Sequence, residues 1–428
     1  MPNLLLLLVQ VAVVVLAARG VGWLFRRIHQ PQVMGEMVAG LLLGPSLLGW
    51  AAPKLSAALF PATSLGFISA ISQLGLLVFM FLVGLELNPR LLRGKSHTAV
   101  VTSHASIIVP FMLGSALALY LYPRLSDASV GFTGFALFMG AAMSVTAFPV
   151  LARILSERKL MRTRVGAVTL ACAAVDDVTA WCILAAVVAL VRSSAVGHPV
   201  WLTVGGSAVF IVAMLFAVRP LLARLEKWFD RKGATQDLMA VVLLVVMVSA
   251  WTTEWLGIHA LFGAFLAGAV MPKGERFVHA VTTRLEDLTV VLLLPLFFAF
   301  TGLRTRIGLV EGAEMWMFCG AIVLVAVVGK WGGSTVAARV TGMPWREAGA
   351  IGVLMSTRGL MELVILNIGL DIGVISPALF AMMVLMALVT TFMTSPLLEL
   401  IFPARLIRAE RVAAEGENGR IGEVVPVV

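Results

Sequence analysis

VGAVTLACAAVDDVTAWCILAAVVALV, residues 165–191, is the stretch that decides the fold of this chain. It runs for 27 residues without a Lys or Arg, and its only charges are Asp176 and Asp177. A helix needs about 20 apolar residues to cross a hydrocarbon layer of roughly 30 Å. The stretch therefore reads as a membrane span with two carboxylates near its middle. Neighbouring residues on a helix point about 100° apart, so one carboxylate can face a cavity while the other meets a partner helix.

The rest of the chain fits that reading. Of its 428 residues, 60% are hydrophobic and 13% are charged, against about 25% charged in a soluble domain. Mean hydropathy is +1.00. Too little polar surface exists to cover such a chain in water, so soluble-enzyme and disordered readings are excluded and the bilayer is the expected partner. The net charge of +9 comes without basic runs interleaved with aromatics, so no nucleic acid is expected. Cys172, Cys182 and Cys319 lie inside apolar stretches and form no CxxC or His/Cys cluster, which argues against a disulfide framework or a zinc site. The first stretch, 3–19, has no basic residues before it and reads as a retained span.

Cutting the chain at charges, prolines and glycines predicts thirteen spans, near 3–19, 31–49, 66–87, 97–121, 131–155, 165–191, 199–218, 237–256, 258–271, 288–303, 314–338, 345–370 and 376–401. With the N-terminus outside, 25 of the 32 basic residues fall in inner loops or the tail, five in outer loops, and Lys330 and Arg358 inside spans. That alternation follows the positive-inside rule. It predicts a multi-pass protein of a bacterial inner (plasma) membrane with its C-terminus cytoplasmic. Residues 1–403 form the membrane domain and 404–428 a short polar tail.

Five charges lie deep in spans: Asp176, Asp177, Lys330, Arg358 and Glu362. Ionisable groups inside a membrane are costly, and mark function by default. Two close carboxylates away from water cannot both stay ionised cheaply, so the aspartate pair can hold a proton in one state and a cation in another. Lys330, in AIVLVAVVGKWGGSTV (321–336), needs a buried partner, and the aspartates are the natural one. The alternatives are a switchable bridge, broken when a proton or cation arrives, and a static one. Arg358 and Glu362 are spaced i,i+4 and share a helix face, which favours a structural or conformation-coupling pair over direct ion contact. Glu36 and Glu86 read as helix-end anchors, and His104 as a satisfied polar group.

Two spans carry interruptions. GFTGFALFMGAAMSVTAFPVLARIL (131–155) has Ser144, Thr146 and Pro149 past its middle. Pro149 removes a backbone donor and clashes with the preceding turn, so a helix break is expected there. Freed carbonyls and hydroxyls would suit a hard cation. WREAGAIGVLMSTRGLMELVILNIGL (345–370) carries Ser356, Thr357, Arg358 and Gly359 at its centre, and Gly359 marks the second break. The two spans are seven apart, so they run in opposite directions. Spans 4–6 and 11–13 then form inverted triplets with broken central helices, the arrangement of secondary transporters.

On these residues the chain resembles the monovalent cation:proton antiporter-2 family over roughly residues 10–402. QPQVMGEMVAGLLLGPSLLG (30–49), FMFLVGLELNPRLLR (79–93) and MSVTAFPVLARIL (143–155) match its motifs, together with Asp176, Asp177 and Lys330. TAFPVLARIL and STRGLMELVILNIGLD (356–371) are most similar to the plant-type cation/H+ exchanger branch and its bacterial relatives. The chain departs from many plant members by having Asp176 where they have Asn.

The resemblance implies an all-α polytopic membrane protein of the sodium/proton antiporter-like fold, acting as a homodimer in pH homeostasis. Core helices, about 97–191 and 314–401, would move against dimerisation helices, about 3–87 and 199–303. By position it implies Asp177 as the main cation and proton carboxylate and Asp176 as the partner of Lys330. Thr146, Ser144 and Ser356 would complete the oxygen shell. The branch points to potassium and the acidic pair to sodium, with H+ as the exchanged ion. No other cofactor and no enzymatic catalysis are expected. A cation channel, a transporter without proton coupling, a non-transporting sensor and an intramembrane aspartyl protease are the competing readings. The protease would need carboxylates converging from different helices, whereas Asp176 and Asp177 are adjacent.

Overall fold

The computed structural model describes residues 4–406 except 87–96, 127–129, 159, 162, 197–199, 234 and 404. Residues 87–93 of the motif at 79–93, and all but residues 405 and 406 of the polar tail, therefore lie outside the described residues. The described chain is helical throughout, without strands. This follows from the solvent. With no water in the hydrocarbon to satisfy a peptide group, each span must bond its own N–H and C=O groups.

The helices of eight or more residues are α1 (Leu4–Arg27), α2 (Gln32–Leu43), α3 (Ala62–Glu86), α4 (His97–Leu125), α5 (Phe132–Ser144) and α6 (Phe148–Glu157). Next come α7 (Arg164–Val196), α8 (Val200–Ala213), α9 (Arg219–Lys232), α10 (Gln236–Trp255), α11 (Ala260–Val270) and α12 (Glu275–Leu288). The last are α13 (Leu294–Arg304), α14 (Gly312–Val327), α15 (Gly333–Val340), α16 (Trp345–Met355), α17 (Leu360–Asp371) and α18 (Pro377–Ile401). Single π-helical turns join α8 to α9, α12 to α13 and α14 to α15.

Among the described residues, eleven spans are long and apolar enough to cross a membrane, and α16 with α17, bent by 42°, makes a twelfth. The expected ninth span, 258–271, is shorter than predicted: α11 has 11 residues, about 16 Å at 1.5 Å per residue. The apolar run there is cut at Gly257, which has a positive φ of 83°, and again by Met271 and Pro272. The described residues therefore show eleven or twelve full crossings and one shorter apolar helix, and do not confirm the expected thirteen. The tenth span also differs, because apolar α13 continues without a gap from the amphipathic α12.

Two packing groups emerge. α4, α5, α7, α14, α15, α16 and α18 pack on one another, while α2 packs on α1 and α13, and α11 on α3 and α10. In the second group the backbones nearly touch. A Cβ on Gly84 would strike the Phe265 carbonyl oxygen, and one on Gly268 the Phe81 carbonyl oxygen. Small residues let membrane helices approach this closely, which compensates for the missing hydrophobic drive between them.

One side chain ties α3 to α11. Lys273 Nζ donates to Gly84 O and Leu85 O, both at 2.8 Å, and to Gly268 O at 3.0 Å. Gly268 lies in the last turn of α11, where an ammonium complements the negative end of the helix dipole. Lys273→Met is expected to destabilise the protein by about 1–3 kcal/mol, read as a lowered midpoint in thermal unfolding of the purified protein. An unchanged midpoint would show that solvent satisfies these carbonyls equally well.

Candidate functional site

The site forms where α5/α6 and α16/α17 cross. α5 ends at Ser144, and Val145 turns extended at φ −75°, ψ 140°. Helix resumes at Phe148 with Pro149 in its first turn, where a missing N–H costs nothing. The break therefore precedes Pro149, and the proline starts the second half rather than disrupting the first. α16 ends at Met355, and Gly359 caps α17 in an extended conformation, φ 165°. A Cβ at Gly359 would stand 2.8 Å from Val150 Cγ2, so any larger residue here would force Val150 on α6 to shift.

The two interrupted segments bond to each other. Ala147 N–H donates to Thr357 O at 2.9 Å, and Thr146 Oγ1 lies 3.1 Å from Met355 O. Thr391 on α18 holds both polar groups of the Arg358 backbone, accepting from its N–H at 2.9 Å and donating to its O at 2.8 Å. Groups freed from the helical ladder inside a membrane need such partners.

All five deep charges are buried, each at most 2% exposed. Asp176 is surrounded by donors. Ser103 Oγ donates to Oδ1 at 3.1 Å, while Ser106 Oγ, Thr146 Oγ1 and Lys330 Nζ reach Oδ2 at 2.6, 3.0 and 2.9 Å. Lys330 Nζ also donates to Thr146 Oγ1 at 2.6 Å. A carboxylate has about four lone-pair sites, so Asp176 is close to saturated. Lys330 itself sits in the π-helical turn Val328–Gly332, a local widening that often accompanies functional positions.

Asp177 is arranged differently. Its carboxylate accepts from the Phe148 backbone N–H at the start of α6, and its Oδ1 has no protein partner. A helix N-terminus favours negative charge, and the second oxygen remains available. The crossing thus holds one locked carboxylate and, one residue along, one carboxylate with spare coordination.

Arg358 and Glu362 are joined at 2.6 Å. The guanidinium also donates to Ala142 O at 2.9 Å and Met143 O at 2.6 Å, so it caps the end of α5. Its task is to neutralise the negative end of a half-helix exposed by the break. Glu362 Oε1 and Arg358 Nε lack protein partners.

Two expected ligands donate their hydroxyls elsewhere than to the aspartates. Ser144 Oγ donates back to Ala141 O at 2.8 Å, and Ser356 Oγ to Gly352 O at 3.0 Å. Both hydroxyls satisfy carbonyls of their own helix, the usual habit of serine in a helical last turn. Ser103 and Ser106 were missed. Their signal was the i,i+3 spacing, which places two hydroxyls on one face of a span next to the acidic one. His104 is exposed, with Nδ1 2.8 Å from Val100 O. Glu36 is buried and held by Gln32 Nε2 at 2.9 Å, whereas Glu86 is exposed. None of the three reaches the crossing.

Two crossing broken helices, with a lysine-paired carboxylate and a second, half-coordinated one between them, define a membrane ion transporter of the inverted-repeat class. Residues 12–400 match the sodium/hydrogen exchanger transmembrane family, and the chain belongs to that family. It is 45% identical to the Na(+)/H(+) antiporter NhaS4 of Synechocystis over 94% of this chain and 98% of that protein. It is 40% identical to cation/H(+) antiporter 17 of Arabidopsis thaliana and 34% to K(+)/H(+) antiporter 1 of Saccharomyces cerevisiae. The chain spans about half the length of those two, 48% and 47%. The fold is similar to that of the sodium proton antiporter MjNhaP1 from Methanocaldococcus jannaschii, with TM-score 0.65, 16% identity, and coverage of 96% of this chain and 100% of that one.

Proposed function

We infer that the protein exchanges a monovalent cation, sodium or potassium, for protons across a membrane, and that both ions compete for Asp177. The observation that carries this reading is the contrast within the acidic pair. Asp176 is saturated by Ser103, Ser106, Thr146 and Lys330, whereas Asp177 Oδ1 has no protein partner. A proton or a desolvated cation can complete Asp177, but not both. With one shared site, each loaded state crosses and no separate coupling device is needed. Thr146 lies beside the pair and contributes a hydroxyl oxygen to the cation.

In this reading α4–α7 and α14–α18 move as one body against α1–α3 and α8–α13. The grouping of helix contacts described above supports it. The protein works as a homodimer in a bacterial plasma membrane, N-terminus out and C-terminus cytoplasmic, and contributes to pH homeostasis.

Proton flux into proteoliposomes, driven by potassium, sodium, lithium or rubidium gradients, tests the exchange directly. A cation gradient that moved no protons would overturn it in favour of a channel or an uncoupled carrier. The saturated Asp176–Lys330 bridge further implies one proton per cation, with the bridge static through the cycle. Clamping the membrane voltage is then expected to leave the exchange rate unchanged. Lys330→Gln is expected to slow exchange through loss of the bridge without altering that voltage independence. A voltage-dependent wild-type rate that becomes voltage-independent in Lys330→Gln would instead make Lys330 a proton carrier.

A further inference from the structure

Far from the crossing, at the other end of α17, a second polar cluster joins the two packing groups. Arg304, the last residue of α13, reaches Asp371 Oδ1 with Nη2 at 2.6 Å and Asn367 Oδ1 with Nη1 at 3.1 Å. Asn367 Nδ2 in turn donates to Thr301 Oγ1 on α13 at 2.9 Å. Asn367 and Asp371 are spaced i,i+4 and so share one face of α17. That helix leads from Asp371 at the rim to Gly359 at the crossing, 12 residues or about 18 Å.

The same face borders a cavity of about 30 Å³ whose lining includes Asn367 and Asp371 of α17, Ser72 of α3 and Phe300 of α13. Ser72 is 1% exposed and its Oγ has no protein partner. A slot of this volume takes about one water. Its oxygen groups, a carboxylate, an amide oxygen and a hydroxyl, are the types that hard cations choose.

We propose that Arg304 is the latch of the outer gate: its guanidinium occupies the Asp371 and Asn367 oxygens that first receive an incoming cation, and so closes the path to the crossing. The proposal rests on the two-body reading above, in which α13 and α17 belong to different bodies, and on the charge-based orientation that puts Arg304 outside. Arg304 and Asp371 side chains are 23% and 41% exposed, so the ion pair alone is a weak tie. Asn367, 6% exposed, and Thr301, 2% exposed, add the buried part. A latch that must open every cycle has to be modest. A cation arriving at Asp371 displaces a like charge, which couples loading to opening.

The test uses a Ser72→Cys reporter in full-length protein with Cys172, Cys182 and Cys319 replaced by Ala. A membrane-impermeant thiol reagent is added to oriented vesicles from the outer face. Arg304→Gln is expected to raise the labelling rate by about fivefold, the range of a partly exposed ion pair. Asp371→Asn should also raise labelling, and should raise KM for the outer cation more than it changes kcat. Equal labelling rates with and without Arg304 would overturn the gate, as would an unchanged KM in Asp371→Asn. Labelling needs no transport, so a gate that fails here leaves the Asp177 reading standing. Loss of that reading through a fully active Asp177→Asn would leave the labelling comparison intact.

Discussion

Asp177→Asn in reconstituted vesicles is expected to reduce cation-driven proton flux by at least about a hundredfold, which corresponds to about 2.7 kcal/mol at tenfold per 1.36 kcal/mol. The substitution keeps the shape of the side chain and its bond to the Phe148 N–H, but it can no longer titrate. It also replaces a charged cation ligand by a neutral amide oxygen. Folding should survive, because Asp177 Oδ1 holds nothing in the protein. The Asp176→Asn variant separates the two aspartates. It leaves the Lys330 ammonium, 0% exposed, without its counter-charge, and so should lose thermal stability as well as transport. If Asp177→Asn retained full exchange while Asp176→Asn lost it with stability intact, the roles would have to be reversed.

That distinction between the two carboxylates was not available from their positions alone. Both stand at mid-span in one apolar stretch, which suffices to mark a buried acidic pair. Which of them is saturated depends on Ser103 and Ser106, about 70 residues earlier, and on Lys330, about 150 residues later. The pairing of Lys330 with an aspartate followed from the cost of burying an ammonium, and Asp176 was assigned to it by family resemblance. The crossing itself was legible because two interruptions lay in oppositely directed spans.

The exact break in α5/α6 was not legible, for a physical reason. Proline reads as a helix breaker, yet in a first turn it is tolerated. What stops α5 is tertiary: the bonds from Ala147 to Thr357 and from Thr146 to Met355 join segments more than 200 residues apart. The orientation of Ser144 and Ser356 was open in the same way, since a hydroxyl near a break can either face the site or bond its own preceding carbonyl. Composition does not separate the two. Arg358 was expected to pair with Glu362, and it does, but its second role as the cap of another helix appears only once α5 and α17 are brought together.

That second role makes Arg358→Ala the substitution with the largest expected loss of stability, about 3–5 kcal/mol, measured as a fall in the unfolding midpoint in detergent. The loss has two sources. Glu362, 0% exposed, would keep a buried charge with no counter-ion, and the Ala142 and Met143 carbonyls would lose their donors. The double variant Arg358→Leu with Glu362→Leu distinguishes them. It removes both charges, so it should recover the ionic part, while the two uncapped carbonyls together continue to cost about 1–3 kcal/mol. The double variant is therefore expected to lie between Arg358→Ala and the wild type. Recovery to full wild-type stability would mean that the capping of α5 contributes nothing and that the pair is purely local. No recovery at all would assign the whole effect to the cap, making Arg358 the residue that lets α5 end at the crossing.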